Sequence, residues 1–318
     1  MGKKCSIGKS CGASCVTASY RCRRAITDAK TKAALSNLCT YIRSGNTGMG
    51  DLKEKYGEAL DNEYLLGEGM YGKVYSYGEN AIKVGEIYPY EIEVGALASE
   101  LGIGPKIKEF STEKWPDSMV VMEKVKGQRL GSSYGGENEE KIREGSSTPH
   151  IVEDPKEAGR ITDSLISLRA KMHRAGISHG DCHCDNVMYD KETGVMKIID
   201  WGRSKKKARP KEVLEEATLV IPWWIKDEIQ THRAMKVKSN NKSSEDLIAS
   251  IRKVPDVKVL SSDPFFSVFT GLHSFRQLYD NSPNYQKLVE NYVRFVGDDS
   301  PVNERLTRVT EALYEGIE

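Results

Sequence analysis

The sequence predicts an α+β chain: a small antiparallel sheet with one helix, followed by a larger, mainly helical region. Three observations lead there. Between Asp61 and Met122, short apolar runs are punctuated by glycine in the manner of strands and turns. From Ala158 onward, apolar residues recur at helical spacing, first at Ile161, Leu165, Leu168 and Met172. The chain has 318 residues, about twice a typical domain, which suits one large bilobed domain or two modest ones.

Residues 1–50 are rich in Lys, Ser, Gly and Cys and end in Ser44-Gly-Asn-Thr-Gly-Met-Gly50, a flexible linker composition; a short helix is predicted within them from Ala25 to Ile42. We take 1–50 as a basic, Cys-rich extension and 51–318 as the folded domain, its N-lobe at about 61–124 and its C-lobe at about 125–318. Strands are predicted at Tyr64–Leu66, Lys73–Tyr77 and Ala81–Val84, then a helix at Tyr90–Leu101, then strands around Ile107 and at Met119–Met122. Residues 131–157 are polar, Gly/Ser/Glu-rich and carry Pro149 and Pro155, so they read as a surface insertion. A helix at Ala158–Ala175 precedes strands Val187–Tyr189 and Val195–Ile199, joined by the turn sequence Asp-Lys-Glu-Thr-Gly. The rest reads as mainly helical, with no solenoid repeat.

Composition excludes several classes. Hydrophobic residues at 38% are enough for a core, and the longest apolar stretch, Leu219–Ile225, contains Pro222 and falls far short of the roughly 20 residues that span a bilayer. The net charge of +1 gives no global pull toward nucleic acid or anionic lipid. That total hides two basic blocks: nine Lys or Arg against the single acid Asp28 in residues 1–50, and six basic residues in the nine from Arg203 to Lys211. Seven cysteines, an odd number, with no signal-peptide hydrophobic region and with Cys182 and Cys184 flanking His183, point to a reducing compartment such as the cytoplasm. The N-terminal cysteines, Cys5, Cys11, Cys15, Cys22 and Cys39, lack CxxC pairs and a nearby His, a poor zinc pattern.

Gly67-Glu-Gly-Met-Tyr-Gly72 lies between two predicted strands. A strand-turn-strand glycine loop lays backbone N–H groups over nucleotide phosphates, whereas a dinucleotide fingerprint would need a helix after the glycines. Lys83 follows eleven residues after Gly72 in an apolar strand, where burial without a partner would cost several kcal/mol; its candidate partners are phosphates, Glu93 on the next helix, or alternatively Glu91. His179-Gly-Asp-Cys-His-Cys-Asp-Asn186, followed by Ile198-Ile-Asp-Trp-Gly202, supplies one carboxylate to orient a hydroxyl, then an amide and a second carboxylate suited to Mg²⁺.

In this order, over roughly residues 61 to 280, the chain resembles the protein-kinase-like superfamily. The resemblance implies a bilobed α+β fold and ATP and Mg²⁺ as cofactors. Gly67, Gly69 and Gly72 would cover the phosphates, Lys83 would contact them, and Glu93 would hold Lys83. Asp181 would orient or deprotonate the acceptor hydroxyl, His183 would reach toward the transferred phosphate, and Asn186 and Asp200 would ligate Mg²⁺. Val121–Val125 looks like the hinge segment, with Met122 as gatekeeper and Glu123 and Val125 facing adenine through their backbones; Val74, Ala81 and Met188 would sandwich the base.

Gly180 stands where many regulated protein kinases have an arginine, which implies activity without activation-loop phosphorylation or activation by a partner. The glycine loop resembles that of protein kinases. His-Gly-Asp-x-His and Ile-Asp-Trp-Gly are more similar to aminoglycoside and choline phosphotransferases, or to compact bacterial or phage effector kinases, than to eukaryotic signalling kinases. The expected activity is therefore transfer to Ser or Thr of an unidentified protein, with a small-molecule phosphotransferase and a catalytically weak pseudokinase scaffold as the other readings. Met1-Gly-Lys-Lys-Cys-Ser6 fits the acceptor pattern for myristoylation of Gly2, which would bring a membrane into play if the protein acts in, or is delivered into, a eukaryotic host cell.

Overall fold

The structure, a computed structural model, describes residues 9–11, 14–16, 47–114, 117–130, 154–182, 184–238, 243–255, 274–297 and 305–318. The helix expected at Ala25–Ile42, residues 131–153 of the polar insertion, and His183 lie outside the described residues. The chain divides into two compact units. The first runs through Gly127 and takes in Lys197–Ser204; the second holds the strand at Gln128, the segment ending at Met196, and Lys205–Glu318. A short antiparallel pair, β1 (Lys9–Cys11) with β2 (Ser14–Val16), precedes the first unit's main sheet.

That main sheet has five strands, β3 (Leu65–Gly69), β4 (Gly72–Tyr77), β5 (Asn80–Gly85), β6 (Ile107–Lys114) and β7 (Asp117–Glu123), in the order β3-β4-β5-β7-β6, with every neighbouring pair antiparallel. Register places Val74 opposite Lys83 and Lys83 opposite Val120, while Tyr75, Ile82 and Val121 align one residue along. Because side chains alternate, these rows face opposite sides of the sheet. The row of Tyr75, Ile82, Met119 and Val121 is buried against Met49, Leu52, Tyr56 and Ala59.

Those last residues belong to helix α1 (Met49–Tyr56) and the turn after it. Their spacing of three, four and three residues puts one apolar stripe on the sheet. Lys55 Nζ and Tyr56 Oη also reach Glu109 of β6, at 2.6 and 2.8 Å, and the Thr47 N–H donates to the Phe110 carbonyl at 2.8 Å. Met49 and Gly50, at the end of the stretch read as linker, open this helix, and segment 47–60 packs on the sheet; among the described residues the first unit has two α-helices.

The second helix, α2 (Pro89–Glu100), starts on a proline in its first turn, where the missing N–H costs nothing. A methyl group at Gly95 would come within 2.9 Å of Ile107 Cδ1, so glycine permits the close packing of α2 on β6.

In the second unit, β8 (Gln128–Arg129) pairs antiparallel with β9 (Val187–Tyr189). Helix α3 (Pro155–Arg174) begins three residues before the predicted Ala158, within the stretch read as insertion. Pro155, taken as a breaker, opens the helix instead, and the Asp154 carboxylate accepts the Lys156 N–H at 3.0 Å. The predicted stripe of Ile161, Leu165, Leu168 and Met172 is buried. The turn after β9 is held by Asp190, whose carboxylate accepts from Glu192 N at 3.0 Å and Thr193 Oγ1 at 2.7 Å.

After β10 (Met196–Ile198), the unit continues through α4 (Pro210–Ala217), α5 (Trp223–Lys238), α6 (Ser244–Ile251), α7 (Phe275–Asn281), α8 (Pro283–Gly297) and α9 (Leu306–Leu313). Gly159 of α3 meets the Asn281 carbonyl so closely that a Cβ would stand 2.1 Å from it. Among the described residues, no helix is long and apolar enough to cross a membrane.

Candidate active site

In the first unit, β3 and β4 form the glycine hairpin, with Gly69 opposite Gly72 and the exposed Met70 and Tyr71 at its tip. Gly72 is required by backbone approach: a Cβ there would lie 2.3 Å from the Val84 carbonyl oxygen. Gly85, at φ +143°, meets the Tyr71 carbonyl just as closely, and the Glu86 N–H donates to that carbonyl at 2.8 Å. The hairpin tip is therefore fastened to the end of β5. Gly85 carries half of this fastening and was not singled out from sequence, because an isolated strand-end glycine resembles any turn residue.

Val74, Ala81, Lys83 and Met122 all belong to the sheet row opposite α1, since Ala81 pairs with Met122 and Val74 with Lys83. Lys83 Nζ lies 2.5 Å from Glu91 Oε1 and 3.1 Å from Asp200 Oδ1. The Lys83 and Glu91 side chains are largely buried, whereas that of Asp200 is 52% exposed. Burial alone would push the Lys83 pKa down, but the Glu91 and Asp200 carboxylates outweigh it and hold the ammonium above its ordinary value. Burial acts the other way on Glu91, pushing its carboxyl up against the pull of Lys83.

The expected partner was Glu93. In the structure Glu91 takes that place, and the reason lies in α2 itself. Ile92, Val94, Gly95, Ala96, Leu97 and Ala98 are all buried, so the helix has no single apolar face from which the inward carboxylate could be deduced. Two residues apart on a helix means about 200° of rotation, so Glu91 and Glu93 cannot point the same way.

Asp200 has φ 57°, left-handed backbone that Asp tolerates better than most residues. The chain on either side is anchored to the first unit: the Ile198 N–H donates to the Ile103 carbonyl at 2.8 Å, and Tyr90 Oη donates to the Gly202 carbonyl at 2.5 Å. Trp201 is buried beside Gly104, where an added Cβ would stand 3.1 Å from the indole nitrogen.

In the second unit, the loop from His179 to Asn186 follows α3. Asn186 is buried, and its Nδ2 donates to the Asp181 carbonyl at 2.9 Å, closing the loop on itself. Gly180 has φ +76° and donates its N–H to Glu216 Oε1 at 2.6 Å; the His179 N–H donates to Glu216 Oε2 at 3.1 Å. An arginine at position 180 would be strained by that backbone, which gives the glycine a local reason. Glu216, on α4, was not identified from sequence: one glutamate in the charged run Glu212–Glu216 has no pattern that distinguishes it.

The basic run Arg203–Lys211 is extensively paired with α4. Glu212 Oε1 lies 2.7 Å from Lys205 and 2.8 Å from Arg209, and Lys211 lies 3.6 Å from Glu215. These contacts offset much of the positive charge that the sequence displays there.

Comparison with known proteins agrees with this chemistry. Residues 124–207, the stretch containing both Asp181 and Asp200, match the phosphotransferase enzyme family. The chain is 31% identical over 159 residues, 45% of its length, to the MAP kinase kinase kinase SSK2 of Saccharomyces cerevisiae, and 43% identical over 49 residues, 15% of its length, to "Probable serine/threonine-protein kinase fnkB" of Dictyostelium discoideum. The chain is protein-kinase-like.

Each match spans only 9% of these relatives' own length. Among solved structures, the Cydia pomonella granulovirus kinase PK-1 aligns with a TM-score of 0.34 and 16% identity, over 49% of this chain and 57% of its own. The phosphotransferase match and the kinase relatives make this a kinase-like phosphotransferase fold.

Of the remaining predicted residues in this kinase-like chain, Met122 and Glu123 end β7, and the Glu123 N–H is engaged by the Lys106 carbonyl at 2.7 Å. Val125 follows in irregular backbone. Met188 belongs to the second unit, opposite Arg129 in the β8–β9 pair. A surface cavity of about 590 Å³ in the second unit is lined by α3 and the turn after β9, including Glu157, Arg160, Asp163 and Lys191, and includes none of the predicted site residues.

Proposed function

We propose that this chain transfers the γ-phosphoryl group of ATP, with Mg²⁺, to a Ser or Thr hydroxyl of a protein. The observation that carries this reading is the Lys83–Glu91–Asp200 cluster: a buried ammonium, kept charged and aimed by one carboxylate, beside a second carboxylate that remains open to solvent. Such an ammonium offers a fixed positive charge to phosphate oxygens, and the exposed Asp200 oxygens suit a hard cation. Asn186, whose Nδ2 donates to the Asp181 carbonyl, would be the amide ligand that the sequence leads one to expect. Oxygen donors of this kind fit Mg²⁺, which takes few protein ligands and completes its shell with water and phosphate. When bound, the ion would offset charge on the transferred phosphoryl group.

Gly67, Gly69 and Gly72 would cover the phosphates, and Val74, Ala81, Met122 and Met188 would contact the base. Glu123 would meet a base edge through its carbonyl, its N–H being occupied. Asp181 would orient the acceptor hydroxyl and take its proton as the new O–P bond forms, the bond to the β-phosphate oxygen breaks, and ADP leaves. The match over 124–207 favours a second reading, transfer to a small-molecule hydroxyl. Incubation with radiolabelled ATP separates the two. Label on the chain itself or on generic protein substrates is expected, and label only on aminoglycosides, choline or sugars would overturn the protein-kinase reading.

A further inference from the structure

Behind the Asp181 loop runs a buried chain of polar groups that begins in the C-terminal segment. Tyr314 Oη lies 2.5 Å from His173 Nδ1, and His173 Nε2 lies 2.9 Å from Glu216 Oε2. Glu216 in turn accepts the N–H groups of His179 and Gly180, the two residues before Asp181. Tyr314 and His173 are fully buried and Glu216 nearly so. Burial would raise the Glu216 carboxyl, but the hydrogen bonds from His173, Gly180 and His179 hold it below its ordinary range. Burial drives the His173 pKa down, further than Glu216 raises it, so the imidazole is neutral.

A neutral imidazole has one N–H. The carboxylate can only accept, so that hydrogen is on Nε2, and Nδ1 accepts from the Tyr314 hydroxyl. Glu216 thus selects the tautomer, and the Tyr314 hydroxyl donates to the ring nitrogen that is left. Tyr314 is itself held from outside, since Arg174 Nη2 donates to the carbonyls of Tyr314 at 2.7 Å and Ile317 at 2.8 Å. Arg169 Nη1 faces the same cluster through the Glu216 carbonyl at 3.3 Å.

We propose that Tyr314 is a positioning residue for phosphoryl transfer: by holding the His173 ring, and through it the Glu216 carboxylate, the C-terminal segment sets the backbone that carries Asp181. This rests on the function proposed above for Asp181, and its test has one readout that requires activity and two that do not.

The test is Tyr314→Phe, which removes one oxygen and keeps the ring, in the full-length chain. The expected result is a kcat lowered about 3- to 10-fold, the equivalent of one hydrogen bond, with the KM for ATP unchanged. Imidazole ¹⁵N spectra should show the His173 Nδ1 signal moving downfield as it loses its donor, and the His179 and Gly180 amides should exchange hydrogen about 10-fold faster than in the parent. Arg174→Ala, which releases the Tyr314 carbonyl without altering the buried groups, should move the same signals in the same direction and serves if Tyr314→Phe does not fold. An unshifted Nδ1 signal with unaltered His179 and Gly180 exchange would overturn the proposal. An unaltered kcat would do so as well. Should the parent chain transfer no phosphate to any acceptor, the proposed function fails by itself, and the imidazole and exchange measurements still decide whether Tyr314 positions the loop.

Discussion

At the scale of single residues, the sharpest question is which glutamate serves Lys83. The geometry assigns Glu91, at 2.5 Å, and a pair of substitutions tests the assignment. Glu91→Gln should lower phosphoryl transfer by more than about 10-fold, because the ammonium loses the charge that aims it, while Glu93→Gln should stay within about 2-fold. The reverse order in a steady-state assay would restore Glu93. Asp200 offers a second test, because its φ of 57° separates charge from backbone. Asparagine also tolerates this conformation, so Asp200→Asn should remove transfer while leaving the melting temperature nearly unchanged. Asp200→Ala should abolish transfer and also cost about 1–2 kcal/mol of stability. Equal melting temperatures for the two variants would show that the backbone there is unstrained.

At the scale of elements, α1 is the part of the first unit whose role depends on contacts far along the chain. It covers one face of the sheet through Met49, Leu52, Tyr56 and Ala59, so a chain starting at residue 47 should fold and one starting at 61 should not. Circular dichroism and a denaturant titration of the two truncations measure this; cooperative unfolding of the shorter one would contradict it. Leu52→Ala, at a fully buried position, should cost about 2–4 kcal/mol. The apolar spacing of α1 was present in the sequence, but a single short stripe among charged residues does not reveal what it packs on. Strands β4, β5 and β7 were legible because glycine punctuation and apolar alternation are local signals. The start of α3 was misread because proline breaks a helix interior yet suits its first turn.

At the scale of the whole molecule, acid stability follows from carboxylates that folding keeps ionised. Burial would raise Glu212, but hydrogen bonds from the Arg209 backbone and from Lys205 and Arg209 side chains hold it down at about 2, against 4.5 unperturbed. Glu216 and Glu290 are likewise depressed, burial being outweighed by His173 and its neighbouring amides for the first and by Tyr279 and Arg252 for the second. A depressed pKa contributes stability that is complete above the unfolded value and is lost as pH falls through the folded one. Stability should therefore begin to fall below about pH 6.5, where an unfolded His173 takes up a proton that the buried imidazole resists, and decline further toward pH 2 as the carboxylates protonate, with Glu212→Gln showing a shallower decline in that acid range. Urea midpoints measured across that range check the prediction, and a pH-independent midpoint would refute it.

What the sequence alone determined is the order of chemical groups: a glycine hairpin, a strand lysine, an Asp and Asn in one loop, and an Asp before Trp-Gly. Each depends on residue type and short spacing, which a linear chain displays directly. Only the tertiary structure decided that Glu91 and not Glu93 meets Lys83, that Gly85 fastens the hairpin, and that Glu216, His173 and Tyr314 stand behind the Asp181 loop. The physical reason is common to all three. A buried polar group must find its partner wherever the fold brings one, and for Tyr314 and His173 that partner is 141 residues away in the chain.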